Sequence, residues 1–202
     1  MLKTLIATQV VLILFQVAIE NGSVLAETPK ACSIIVKRAQ WNSQKSTNVT
    51  YQIRPVPWVV IHHTVTPECN ELNACKARVR SIQDYHQKVN KWSDIGYNFL
   101  IGNTGDVFEG IGWHRVGAHT RRYNSKSIGV AFIGNFERVL PSPKAVHAVA
   151  KLMECGVELG ELEPDYNLYG ARQLIAVSSP GDALYDLLQD WDHYDSSPVL
   201  EE

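Results

Sequence analysis

Trp58 to His63 reads WVVIHH, an apolar and β-branched run closing on two imidazoles, which predicts a central strand delivering side chains to a site at its end. From Leu72 to Asn90, apolar or aromatic residues recur in steps of three and four at Cys75, Val79, Ile82, Tyr85 and Val89. That period predicts an amphipathic helix, with Asn70 placed to cap it. Tyr97 to Ile101, the turn Asn103-Thr104-Gly105-Asp106 and Val107-Phe108 predict a hairpin, since Asn and Gly supply the unusual turn dihedrals. Ile128 to Phe136 predicts another strand. Ser142-Pro143 opens a second helix with a cap and a first-turn proline, and its stripe runs Val146, Val149, Met153 and Val157 with Cys155 beside it. Leu184, Leu187, Leu188 and Trp191 keep helical spacing behind Pro180-Gly181 and predict a third helix. Strands interleaved with helices give an α/β fold, a central mixed β-sheet flanked by three helices, and no internal repeat interrupts it.

The 202 residues suffice for one domain, and 45% hydrophobic against 20% charged is the balance of a chain that buries a core. Its net charge of -2 argues against the basic surface that nucleic acid selects. Residues 1–26 have the form of a signal peptide: Lys3 gives the positive start, Leu5 to Ile19 the apolar run, and Val24-Leu25-Ala26 the small-residue cleavage site. The expectation is a secreted, extracellular protein with one domain over 27–202, a short polar tail from Asp192 and no membrane span. Cys32, Cys69, Cys75 and Cys155 then lie in an oxidising compartment, where an even number implies two disulfides. Spacing alone allows three pairings; the short loop suits Cys69 with Cys75, which leaves Cys32 for Cys155. Asn48-Val49-Thr50 is a glycosylation sequon on a polar stretch, and Asn21-Gly22-Ser23 is another that would leave with the signal.

Four segments stand out together: IHHTVTPEC at 61–69, DIGYNFLIGNTGDVFEGIGW at 94–113, GAHTRRYNSKSIGVAFIGNF at 117–136, and GARQ with SSPG between 170 and 181. On these runs the chain resembles the peptidoglycan recognition proteins, in particular the short secreted insect type, a family related to zinc N-acetylmuramoyl-L-alanine amidases. The resemblance fits the same cysteine pairing, and it implies a groove on one face for the peptide stem and sugar of peptidoglycan. Family members with activity hold zinc through a His of the HH pair, a His in a G-H-R-Q run and a Cys before P-G. Here the first is His62, the second is Ala171 and the third is Ser179. A methyl group donates nothing to a metal, and a neutral alcohol replaces a thiolate poorly. The resemblance therefore implies a degenerate metal site, no cofactor and no enzyme.

By the same resemblance His63, Thr64, His86, Tyr97 and His119 fall on ligand-contact positions, with Lys91 and Trp92 beside them and Trp92 as an aromatic wall. Neutral histidines both donate and accept, which suits a stem of alternating amides. Members favouring diaminopimelate stems carry Gly-Trp before DIGY and an Arg two residues before the later tryptophan. This chain has Lys91-Trp92 and Ile111 instead, with Arg115 nearby, which leans to lysine-type stems. The function implied is a secreted, non-catalytic receptor that binds bacterial peptidoglycan and activates innate immune signalling of Toll or prophenoloxidase type through host signalling proteins. The alternatives are an amidase with residual activity and a peptidoglycan decoy that does not signal.

Overall fold

Strands and helices alternate along residues 30–198, the part that the computed structural model describes: β1 (Ile35–Val36), β2 (Val56–His63), α1 (Leu72–Lys88), β3 (Phe99–Ile101), β4 (Val107–Glu109), β5 (Ser127–Phe132), α2 (Pro143–Glu158), β6 (Leu162–Gly170), α3 (Ala171–Leu174) and α4 (Asp182–Leu188). Residues 1–26, expected to be a signal peptide, and the sequon within them lie outside these residues. The six strands form one mixed sheet in the order β1-β4-β3-β5-β2-β6, with β3 and β4 antiparallel and every other neighbour parallel. β2 lies inside it, between β5 and β6, and its run of buried residues from Val59 to His63 matches a strand covered on both faces.

Alternation along β2 sorts the core into two layers. Val59 and Ile61 pack with Val149 and Leu152 of α2 and with Leu184 and Leu188 of α4. On the other face Cys75, Val79 and Ile82 of α1 pack with Leu100 of β3 and Ala131 of β5. No helix among the described residues is long and apolar enough to cross a membrane.

Start signals were legible where a side chain closes the first turn. Ser142 Oγ accepts from the Ala145 amide at 3.1 Å ahead of Pro143, as the sequence predicts for α2. For α1 the cap is Glu71, without a side-chain bond; Asn70 instead accepts from Asn103 Nδ2 at 3.2 Å. α1 ends at Lys88, and its buried stripe continues from Ile82 to Gln83 and His86, leaving Tyr85 and Val89 exposed. The predicted hairpin is present, and Gly105 takes the positive φ of 88° at its turn, where a side chain would be strained. Asn103 works differently, with Oδ1 accepting from Ser142 N–H at 2.9 Å. The strand expected to reach Phe136 stops at Phe132, because the chain turns and lays Phe136 back against Phe132 at 6.0 Å between rings. Val146 and Val157 only flank the buried face of α2, whose centre is Leu152 and Cys155. Trp191 lies beyond the end of α4.

Both disulfides are those read from the chain, Cys32–Cys155 and Cys69–Cys75. The first closes 123 residues of sequence and fastens the amino-terminal turn to α2; the second closes only 6. Loop-closure entropy grows with loop length, so the long bridge constrains the unfolded chain more. Replacing Cys32 and Cys155 by Ser will lower unfolding stability by about 2–5 kcal/mol, more than the same change at Cys69 and Cys75. Urea titration of the two variants checks it, and an equal or larger loss from the short bridge would contradict the ranking.

Candidate functional site

The two imidazoles that end β2 point to opposite faces because successive strand residues alternate. His62 lies on the α1 side and starts a row of rings: His119 and Tyr97 each stand 5.5 Å from it, His86 is 5.6 Å from Tyr97, and Trp92 is 4.6 Å from His86. A cleft of about 450 Å³ opens beside α1 where His86 and Tyr97 of this row meet it, lined also by Thr64, Thr66, Ser81 and Tyr85. Space for the row is made partly by absence of side chains. A Cβ on Gly129 would stand 2.3 Å from the His119 ring, so only glycine lets β5 pass beneath it.

Hydrogen bonds fix the tautomers of two of the rings. His86 Nδ1 accepts from Gly96 N–H at 3.0 Å and His63 Nδ1 accepts from Phe136 N–H at 3.2 Å. A neutral imidazole that accepts at Nδ1 carries its hydrogen on Nε2, so both rings present a donor. His63 Nε2 is buried without a hydrogen-bond partner among the described residues, a cost of about 1–3 kcal/mol, and His119 Nε2 is buried too. Thr120 joins the remaining pair: its hydroxyl lies 3.0 Å from His62 Nε2 and 2.9 Å from His119 Nδ1. Thr64 Oγ1 accepts from Gly134 N–H at 3.1 Å and meets Thr66 Oγ1 at 2.8 Å.

Burial sets the charge of the row. It holds His62 well below the ordinary imidazole range, with His119 and His63 adding repulsion, and lowers His63 in the same way. It brings His86 down to about 4, against the pull of Asp94, and His119 down to about 3. Tyr97 is pushed up to about 12, so its phenol stays protonated. The groove floor is neutral at physiological pH and rich in N–H and O–H groups.

Zinc, which the resemblance implies for active members, does not fit the three positions that would hold it. Gly170 sits level with Ile61 in the β2–β6 register, which brings Ala171 beside His62, but its buried methyl packs among Val60, Tyr123, Tyr169 and Leu174. Ser179 Oγ reaches the same end of β2 and accepts from His63 N–H at 3.1 Å. His62 keeps a donor nitrogen, and Thr120 engages it. Among the described residues no cluster of three His, Cys, Asp or Glu is placed to hold a metal ion.

The structure thus gathers His62, Ala171 and Ser179 at one strand end, and Thr64, His86 and Tyr97 along one cleft, with Trp92 against His86 and His119 against His62 in the ring row. His63 lies on the other face of β2 with Nε2 buried, and it does not line that cleft. Lys91 stands exposed in the left-handed conformation, φ 59°, just before Trp92. Ile111 is buried in the layer beneath α1, and Arg115 points its guanidinium to Ser46 Oγ at 3.3 Å. Asn48 is exposed at the edge of a small recess that Trp92 and Arg115 also line. Sequence reasoning missed Thr120, whose only signal is its place after His119, and Tyr85, which helical period assigned to the core.

Residues 52–183 match the family described as N-acetylmuramoyl-L-alanine amidase. Peptidoglycan-recognition protein 2 of Holotrichia diomphalia is 44% identical over 187 residues, covering 93% of this chain and 98% of that one. The solved structure of Drosophila peptidoglycan recognition protein SA superposes with a TM-score of 0.81 at 47% identity, covering 83% of this chain and 97% of that one. Peptidoglycan recognition protein LE, solved in complex with tracheal cytotoxin, a monomeric diaminopimelic acid-type peptidoglycan, gives 0.80 at 38% identity, covering 81% and 96%.

The depressed histidines make folding pH-dependent in a definite direction. Below their ordinary pKa of about 6.5 the unfolded chain takes up protons that the folded chain refuses, so stability falls with pH until the folded values near 3 and 4 are reached. Each such histidine contributes a slope of up to about 1.4 kcal/mol per pH unit. Thermal melts taken from about pH 7.5 down to about pH 5 will show a falling midpoint, and His86→Gln will make the fall shallower. A midpoint that holds steady over that range in both proteins would show that the rings are not desolvated as described.

Proposed function

The chain belongs to the N-acetylmuramoyl-L-alanine amidase family and, within it, to the peptidoglycan recognition proteins, and from that premise we propose that it is a secreted receptor that binds bacterial peptidoglycan without cutting it. Binding would activate innate immune signalling of Toll or prophenoloxidase type through host proteins. The observation that carries the non-catalytic reading is the donor set at the end of β2, one imidazole beside a buried methyl and an alcohol that already accepts an amide hydrogen. Catalytic zinc takes three protein ligands and leaves one position for water, and two of the three are missing here.

Recognition needs no metal. His86 offers an Nε2–H donor to the carbonyls and carboxylates of a peptide stem, and Tyr97 and Thr64 add hydroxyls. Trp92, 37% exposed over His86, supplies an apolar wall, while Lys91 adds a cation at the rim. Because the rings are neutral, a ligand displaces water from them without stripping hydration from a charge. Ile111 supports the preference for lysine-type stems, since an aliphatic side chain cannot pair with the extra carboxylate of diaminopimelate. Two disulfides suit an extracellular protein, and Asn48 is exposed as a glycan acceptor must be.

Purified protein incubated with lysine-type and diaminopimelate-type muropeptides and zinc will bind the first more tightly, release no stem peptide and retain no stoichiometric metal. Zinc-dependent release by the unaltered chain would overturn the receptor reading in favour of a residual amidase. Binding with no downstream activation would assign it to sequestration instead. His86→Ala will weaken muropeptide binding about tenfold, the loss of one well-placed hydrogen bond. Ala171→His with Ser179→Cys will raise zinc affinity, read by metal titration; an unchanged titration would mean that the three positions do not converge.

A further inference from the structure

The near-neutral total charge conceals two opposite halves. Residues 152–202 hold twelve Asp and Glu against the single Arg172, whereas 27–151 hold seventeen Lys and Arg against eight acidic residues. Several of those acids gather on the sheet face opposite the groove, the face that α2 covers. There a cleft of about 610 Å³ opens between α2, β6 and the segment after α4. Its walls are Val149, Met153, Val157, Pro164, Leu168 and Trp191.

The rim is acidic: Glu154, Glu158, Asp190 and Asp192, all exposed. Lys151 pairs with Glu154 at 2.5 Å, while Glu158, Asp190 and Asp192 have no ion-pair partner among the described residues. His193 is the one basic side chain lining the cleft, and it is committed elsewhere, stacked on Tyr166 at 4.1 Å with Nδ1 at 2.9 Å from the Tyr166 carbonyl. Burial and the neighbouring Asp192 push the Tyr166 phenol up to about 12, the direction a negative field gives.

We propose that this cleft docks a basic, apolar-anchored segment of a partner protein, one or two large hydrophobic side chains entering between α2 and Trp191 while flanking Lys or Arg residues meet the carboxylates. Apolar walls of this volume take a buried anchor, and a charged rim chooses among anchors by sign. The same rim repels the anionic stem that the groove would bind. Because α1 and α2 cover opposite faces of the sheet, both sites are open at once.

The test uses the full mature chain and a fluorescent nine-residue peptide with a Leu-Trp-Leu centre and two Lys at each end, beside a control with Glu for every Lys. The basic probe will bind with an affinity that falls as salt rises, and Glu158→Lys with Asp190→Lys will weaken it by about tenfold or more. The Glu control will not bind. Both substitutions are at exposed positions, and muropeptide binding and circular dichroism of the variant will match the parent, which separates failure here from failure of the groove reading. No binding of the basic probe, or equal binding by parent and variant, would overturn the proposal. Concentration-dependent self-association in sedimentation, abolished by the same variant, would overturn it too by assigning the cleft to a second copy of the chain.

Discussion

A buried carboxylate holds the groove wall in place. Asp94, 5% exposed, accepts from the Arg38 guanidinium at 2.8 Å, from Gln83 Nε2 at 2.7 Å, from its neighbour's amide Ile95 N–H at 2.7 Å, and from the Ser46 hydroxyl. Three stretches far apart in sequence meet there: the amino-terminal segment, α1, and the chain that leads through Tyr97 into β3. A buried ion is tolerated only when its lone pairs are met, and removing one partner of such a set typically costs about 3–5 kcal/mol. Gln83 is one turn before His86 on α1. Through Gln83 and Ile95 that carboxylate ties α1 to the segment carrying Tyr97, beside the direct bonds from Gly96 N–H to His86 Nδ1 and from Trp92 N–H to the His86 carbonyl.

Much of the fold was legible because its elements are locally consistent. β2 reads as a buried strand, the hairpin carries its glycine, and Ser142-Pro143 closes its own first turn. The misreadings have physical causes. Period alone could not choose between Tyr85 and His86 as the inward residue of α1, because the deciding contacts, Gly96 N–H on His86 and Asp94 on Gln83, come from distant sequence. Asn70 has the chemistry of a cap but is drawn away by Asn103. Apolar character ran past the end of β5 because Phe136 returns to the core from a turn.

The groove was legible through motifs, and its wiring was not. Thr120 carries no pattern of its own, yet it decides what His62 and His119 can do. The acidic cleft was hidden for a different reason, since a summed charge cannot show that opposite signs occupy different parts of the chain. At the end of β2, where the resemblance expects metal ligands, a methyl completes a buried cluster and a hydroxyl takes an amide hydrogen.

The Thr120 hydroxyl has one hydrogen for two imidazoles. If it is given to His119 Nδ1, His119 must carry its own hydrogen on Nε2 and His62 Nε2 must donate to the hydroxyl; if it is given to His62, His119 Nε2 becomes the acceptor. The two tautomers are thus interlocked. One hydroxyl rotation hands a change of proton on either ring to the other.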